Sequence, residues 1–338
     1  MFQIHLEQYG ENGYRIYRVP SIVCTRKGTI IVCYECRYGG DWSAMDLVLR
    51  RSEDGGGTWS ERQLVASGNE IDVIHNGILF VCESQVHLLW HRNYRQAYHV
   101  VSDDEGRSWS RPEDITYAYL ELRRQLPWTV IAAGPGHGLT TREQRMIVPV
   151  WAAYCREDIT AHHPSVLTTL HSDDHGASWH CGEIIHAAPD FVDPNESVLA
   201  QLSDGSILIN SRHETGGGLR KVGFSPDGIE AWHGFYFEPQ LRDPVCAAGM
   251  TQDAERLWFV NCDASKEEGR RHLTVKQSCD DGKTWNILRE LAVDGGYSDI
   301  CYDATRNALW IIAETGRAIP EETFSFGLSV FKLPVDLP

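Results

Sequence analysis

Ser102-Asp-Asp-Glu-Gly-Arg-Ser-Trp109 is an eight-residue phrase that the chain uses more than once. Ser52-Glu-Asp-Gly-Gly-Gly-Thr-Trp59, Ser172-Asp-Asp-His-Gly-Ala-Ser-Trp179 and Ser278-Cys-Asp-Asp-Gly-Lys-Thr-Trp285 share its pattern, Ser-x-Asp-x-Gly-x-Ser/Thr-Trp. Ser225-Pro-Asp-Gly-Ile-Glu-Ala-Trp232 is a weaker copy. The residue types describe a hairpin corner. The Asp side chain accepts bonds from turn amides, the Gly supplies a positive φ, and the Trp caps the neighbouring strands. Such a corner is structural, and its recurrence marks a repeat architecture.

The copies start at 52, 102, 172, 225 and 278, separations of 50, 70, 53 and 53. That is the period of a four-stranded blade with loops of varying length. Dividing the 338 residues by it gives six blades. Short β-branched or alternating runs lie between the corners: 28–34, 45–51, 85–90, 145–151, 256–261 and 308–313. Helical character is confined to 117–125, in an inter-blade connection. Length alone argues for two or three domains, yet no linker, charge run or composition shift divides the chain. A repeat fold reconciles the two. The expected architecture is all-β, a six-bladed β-propeller with Asp-box corners formed by residues 1–338 as a single domain. Strands from both ends of the chain would close it.

The formal charge of −16 argues against nucleic acid or an anionic membrane as main partner, because the whole-protein field repels phosphates. A local basic pocket remains compatible with it. The N-terminus, Met1-Phe-Gln-Ile-His-Leu-Glu, has no basic or apolar leader region, and no apolar run approaches a membrane span; a cytoplasmic protein is the expectation. The ten cysteines follow no regular framework and read as reduced. Cys33 and Cys36, three apart on a strand, face opposite sides, and neither they nor His162-His163 form a metal site by spacing. No cofactor is expected.

Asn195 to Arg212 reads as two alternating strands joined by a Ser203-Asp204-Gly205 turn. Glu196 and Arg212 then sit on neighbouring strands at the same end. Read alone they make an ordinary cross-strand ion pair.

Together with Tyr17-Arg18-Val19-Pro20, the Asp boxes make the chain resemble the bacterial-type exo-sialidases (neuraminidases), whose first blade carries an Arg-Ile-Pro motif ahead of such repeats. The similarity runs from Arg18 to Glu314. It implies a substrate-binding set of Arg18, Arg212 and Arg270 as the arginines that hold a carboxylate, with Arg271 as rival for the third place. It further implies Tyr297 as nucleophile, Glu196 as its activating base and Asp41 as acid/base in Arg37-Tyr-Gly-Gly-Asp41. Arg37 joins the binding set, and Glu314 braces Arg18. The segment Gly134-Pro-Gly-His-Gly138 resembles a loop common in the group. Val19 departs from the usual isoleucine.

The chemistry makes these residue types intelligible. Sialic acids carry a carboxylate on the anomeric carbon, and planar guanidinium groups hold an anion in a fixed orientation. The same carboxylate repels a carboxylate nucleophile, whereas a neutral phenol activated by a glutamate avoids that repulsion. Taken singly, each residue has a structural alternative. Arg18 could be a strand-end arginine, Tyr297 a structural tyrosine and Asp41 a turn residue, with Asp46 as rival acid; Glu314, if buried, needs a cation. Their joint order and spacing favour the catalytic reading. The expectation is a metal-independent exo-sialidase acting on a sialylated glycan or free sialoside through a tyrosyl intermediate, with net retention. The alternatives are a hydrolase of a related ketulosonic acid (Kdn or Kdo) and a non-catalytic sialoglycan-binding propeller.

Overall fold

In the computed structural model, which describes residues 2–69, 71–316 and 327–335, each full Asp box closes the turn between the third and outermost strands of a blade. Asp104 Oδ1 accepts from the Ser102 hydroxyl (2.8 Å) and the Ser108 amide (2.8 Å), and Oδ2 accepts from the Ser108 hydroxyl (2.6 Å). The Gly106 amide donates to Ser102 Oγ at 2.8 Å. The boxes around Asp54, Asp174 and Asp280 repeat these four bonds. The weaker copy is one residue tighter, Asp227 accepting from the Ile229 and Glu230 amides.

The box glycine serves a second purpose. Gly56 and Gly176 have φ of 85° and 84°, and a Cβ there would come within 2.6 Å of the Trp310 ring and 2.7 Å of the His99 ring. Both rings belong to the preceding blade, so the box also docks each blade onto its neighbour.

Six sheets follow one another around an axis. Their innermost strands are Ile16–Cys24, Ile74–Cys82, Val130–Ala133, Ser197–Gln201, Gly249–Gln252 and Ser298–Asp303. Blades one to six are numbered in that order. The sixth is completed by Phe2–Glu7, which pairs antiparallel with Gly327–Pro334 (Phe2 opposite Lys332), so both ends of the chain close the ring as expected. The helical connection is a 3-10 turn at Thr116–Tyr119 followed by an α-helix at Leu120–Gln125. Cores form between the blades, with Trp179, Trp258 and Trp310 fully buried. Cys33 and Cys36 fall into different apolar clusters, and all ten cysteines are free. Among the described residues, no helix is long and apolar enough to cross a membrane.

The 134–138 segment interrupts the innermost strand of blade three and reaches across the axis. The His137 amide and Nδ1 meet Asp299 Oδ2 and Oδ1 at 2.9 and 2.8 Å, and the Ile22 amide donates to the same Oδ2 at 2.9 Å. One buried carboxylate therefore ties blades one, three and six. Burial lowers the His137 pKa, but the Asp299 charge and hydrogen bond outweigh it and raise the value.

Strand register separates the two ends of the propeller. In blade one Ile16 lies opposite Arg37 and Arg37 opposite Met45, whereas Ile30 lies opposite Ser52. Arg18, Arg37 and Asp41 thus sit at the end away from the Asp box. In blade four, Ser197 opposite Ser211 and Ile207 opposite Ser225 give the same polarity.

Candidate active site

Two strand entries near the axis break their ladders in the same way. The register shifts between Arg18 and Ser21 in blade one and between His75 and Ile78 in blade two. Val19 and Asn76 take φ of 51° and 52° at these bulges. A left-handed β-branched residue is costly and persists only where its surroundings enforce it. Here the Val19 amide donates to Glu314 Oε1 (3.1 Å) and the Asn76 amide to Glu35 Oε1 (2.7 Å). Each of these fully buried glutamates also grips an arginine. Glu314 Oε1 accepts from Arg18 Nε at 3.0 Å, and Glu35 Oε2 from Arg37 Nε at 2.6 Å. The bulges, their glutamates and the two arginines form one repeated device that aims guanidinium groups at the axis.

Glu314 does more. Its Oε2 accepts the Tyr297 amide at 3.0 Å, and the Glu314 amide returns a bond to the Tyr297 carbonyl at 2.9 Å. Gly296 makes this possible, since a Cβ there would lie 2.3 Å from Glu314 Oε2. The same carboxylate therefore fixes Arg18 and the backbone of Tyr297.

Around the Tyr297 ring the three predicted arginines come together. The Arg18 and Arg270 guanidinium carbons lie 4.7 and 5.0 Å from the ring centroid, and Arg212 Nη1 donates to the phenolic oxygen at 2.9 Å. Arg271, by contrast, is half exposed and pairs with Asp294 at 3.6 Å. Arg270 is the member at the pocket. Glu196 and Arg212 do form the cross-strand pair that the hairpin predicts, but the pair is not isolated: the Tyr297 hydroxyl donates to Glu196 Oε1 at 2.5 Å. Burial, reinforced by the Glu196 charge, pushes the Tyr297 phenol above its ordinary value, while Arg212, Arg270 and Arg18 pull it back. The resting phenol is protonated, with a base already in contact.

Asp41 lies on the loop between the second and third strands of blade one, with 48% of its side chain exposed. Its Oδ1 accepts from Arg37 Nη1 at 2.5 Å and from Arg18 Nη1 at 3.5 Å. Partial burial favours the neutral acid, but Arg37 and Arg18 prevail and hold its pKa below the usual aspartate value. The rival Asp46 points elsewhere, accepting from the Tyr14 hydroxyl (2.6 Å) and the Gly68 amide (3.1 Å).

Arg18, Arg37, Asp41, Glu196, Arg212, Arg270 and Tyr297 all line one cavity of about 490 Å³, and Glu314 lies directly beneath it. The same wall contains residues to which sequence reasoning gave no role: Asn76, Tyr94, Trp151, His162, His163, Asp193, Asn195 and Glu214. Glu35, behind Arg37, was also missed. Its two-residue offset from Arg37 on a strand, which puts both side chains on one face, was a usable signal.

A six-bladed propeller with an arginine-lined axial pocket, a tyrosine held against a glutamate and a separate aspartate defines the class of site. The sequence profile of the BNR repeat-like domain matches residues 28–306, and the chain belongs to that family. A sialidase of Micromonospora viridifaciens is 27% identical over 317 residues, covering 83% of this chain and 47% of that protein. The chain spans about half the length of the curated sialidases it matches. Among solved structures, the Hadza microbial sialidase Hz136 superposes with a TM-score of 0.79 at 23% identity, over 99% of this chain and 68% of that one. The Trypanosoma rangeli sialidase in complex with 2,3-difluorosialic acid, described as a covalent intermediate, gives 0.75 at 16% identity, over 97% and 58%. These two likenesses carry the fold.

Proposed function

We propose that the chain is an exo-sialidase that releases terminal sialic acid with net retention through a tyrosyl-enzyme intermediate. The observation that carries the reading is the Tyr297 hydroxyl, 2.5 Å from Glu196 Oε1 and surrounded by Arg18, Arg212 and Arg270. Three guanidinium groups around a phenol suit a substrate whose anion is attached to the reacting carbon. A site built only to bind that anion has no need of a base on the phenol.

In this mechanism the substrate carboxylate sits among the three arginines, and Tyr297 Oη attacks the anomeric carbon as its proton passes to Glu196. Asp41, protonated, gives its proton to the glycosidic oxygen, and the C–O bond to the aglycone breaks. Asp41, now a carboxylate, takes a proton from water, whose oxygen displaces the tyrosyl oxygen, and Glu196 returns the proton to Tyr297. Two inversions give retention. Arg212, bonded to both Glu196 and Tyr297, stabilises the phenolate character that develops during attack.

The test is a panel of fluorogenic ketosides of Neu5Ac, Neu5Gc, Kdn and Kdo given to the purified protein. Turnover of the Neu5Ac ketoside is expected. Preferential turnover of Kdn or Kdo moves the assignment to a related ulosonic acid, and turnover of none moves it to a sialoglycan-binding propeller.

A further inference from the structure

To act as the acid, Asp41 has to hold a proton, yet two arginines reach it. Glu35 stands behind one of them. It is fully buried on the strand Ile30–Arg37, directly opposite Arg18 in blade one and two residues before Arg37 on the same face. Its Oε2 accepts from Arg37 Nε at 2.6 Å and from Arg37 Nη2, which leaves Arg37 Nη1 for Asp41 Oδ1 at 2.5 Å. One buried guanidinium thus joins a buried carboxylate to the carboxylate at the rim.

The other oxygen of Glu35 takes the Asn76 amide at 2.7 Å. That anchor needs only an acceptor, which a neutral amide side chain would supply, so it does not account for a buried charge. The charge is costly: burial raises the Glu35 pKa, and Arg37, the Asn76 amide and Arg18 oppose it. Its use lies at Asp41. Arg18 is matched by Glu314 and Arg37 by Glu35, so Asp41 meets two compensated cations. Without Glu35 the whole Arg37 charge would fall on Asp41, and a proton there would cost more. The other titratable groups around this chain are neutral at pH 7. Burial raises the Tyr94 phenol, which faces both carboxylates, and the Cys33 and Cys36 thiols beside Glu35; it lowers His162 beside Asp41 and His75 beside Arg37.

Building on the sialidase reading, we infer that Glu35 is a positioning residue for the acid step: by holding the inner side of Arg37 it divides that charge between two carboxylates, so that Asp41 can carry the proton it gives to the glycosidic oxygen.

The experiment follows kcat/KM against pH for 3'-sialyllactose and an aryl ketoside in wild type, Glu35→Gln and Glu35→Asp. At pH 7, Glu35→Gln is expected to lose about tenfold on sialyllactose and much less on the aryl ketoside, with Glu35→Asp, which keeps the charge, recovering most of the loss. The deficit should close as pH falls through the Glu35 value, because the wild type then carries a neutral residue there too. A Glu35 that only packs would cost both substrates alike at every pH, and that outcome in folded Glu35→Gln refutes the inference. The coupling is also read without turnover, from the Glu35 carboxyl titrated by carbon-13 NMR in wild type and Asp41→Asn. Removing the rim charge leaves Arg37 to Glu35 alone, so the Glu35 pKa is expected to fall by about one unit. An unchanged Glu35 titration overturns the shared charge, even if Glu35→Gln does not fold. If no ketoside is hydrolysed, the sialidase reading and the acid step fail together, and the NMR titration still decides whether Arg37 is shared.

Discussion

Carboxylates crowd both ends of the propeller, and the two ends satisfy them differently. On the Asp-box face, Asp54, Asp104, Asp174 and Asp280 bond to amides and hydroxyls within four residues in the chain; Asp54 and Asp174 are exposed, Asp104 and Asp280 half-buried. In the pocket, Glu314 holds Arg18 across 296 residues and Glu196 meets Tyr297 across 101. A local, neutral-donor arrangement can be copied blade by blade. A charged arrangement assembled from distant strands is built once, and each member leaves a buried partner uncompensated when it is removed.

The largest expected effect follows from that dependence. Arg212→Lys keeps the charge but loses the planar group whose Nη1 meets both Glu196 and Tyr297 while its Nη2 reaches Glu214, so kcat/KM is expected to fall by about 10²–10³-fold. The urea midpoint should move little. Kinetics close to wild type would show that the two ends are alike after all, each a collection of replaceable contacts.

The same contrast explains what could be read from sequence. The Asp box is legible because its donors and acceptors lie inside eight residues, and the spacing of the copies then dictates six blades. Glu196 and Arg212 were legible as neighbours from the Asp-Gly turn between their strands. Tyr297 and Glu314 were legible only through resemblance, since no local pattern ties them to Arg18. Arg270 and Arg271 could not be told apart by sequence, because which of two adjacent residues faces the axis depends on where the strand begins; here Arg271 is the first strand residue. Trp151, Tyr94 and His162 gave no signal as a set. They meet through ring packing between blades two and three.

A second, smaller effect separates the ends by leaving group. Asp41→Ala is expected to lose about 10²–10⁴-fold on sialyllactose and much less on an aryl ketoside, whose departure needs little protonation. Equal losses on the two would remove Asp41 from the acid role.

Acidity sharpens the comparison next. Arg37 and Arg18 overcome burial and keep Asp41 ionised at neutral pH, so kcat/KM on sialyllactose is expected to rise as pH falls from 7 toward the Asp41 value, with a weaker rise for the aryl ketoside. Asp54 and Asp104 are held at about 2 by their bonds to Thr58 and Ser108. Depressed folded-state values mean that this stabilisation is present above the unfolded value of about 3.9 and is lost as pH falls from there toward 2. The buried histidines His87, His91 and His99, held by burial at about 4, 3 and 3, add a loss of stability that begins as pH falls below their unfolded value of about 6.5. Activity should therefore rise while the thermal midpoint declines, and the midpoint should drop more steeply below about pH 4. Parallel pH profiles for activity and midpoint would contradict the separation.

The smallest effect belongs to a single box. Asp104→Ala removes solvent-facing bonds from one corner, so the thermal midpoint should fall by a few degrees with kcat/KM unchanged. Adding Asp280→Ala, three blades away, should double the shift, because the two corners share no partner. Loss of activity in either variant would link the two faces.

The central claim is that Tyr297 is the nucleophile and Glu196 its base. A 2,3-difluoro sialic acid analogue slows breakdown of a glycosyl-enzyme, and intact-mass spectrometry reads the adduct directly. The account predicts one adduct per chain in the wild type, located to a peptide containing Tyr297, and none in a folded Tyr297→Phe variant. An active wild type that never gains the mass, or a Tyr297→Phe protein that still does, would contradict it.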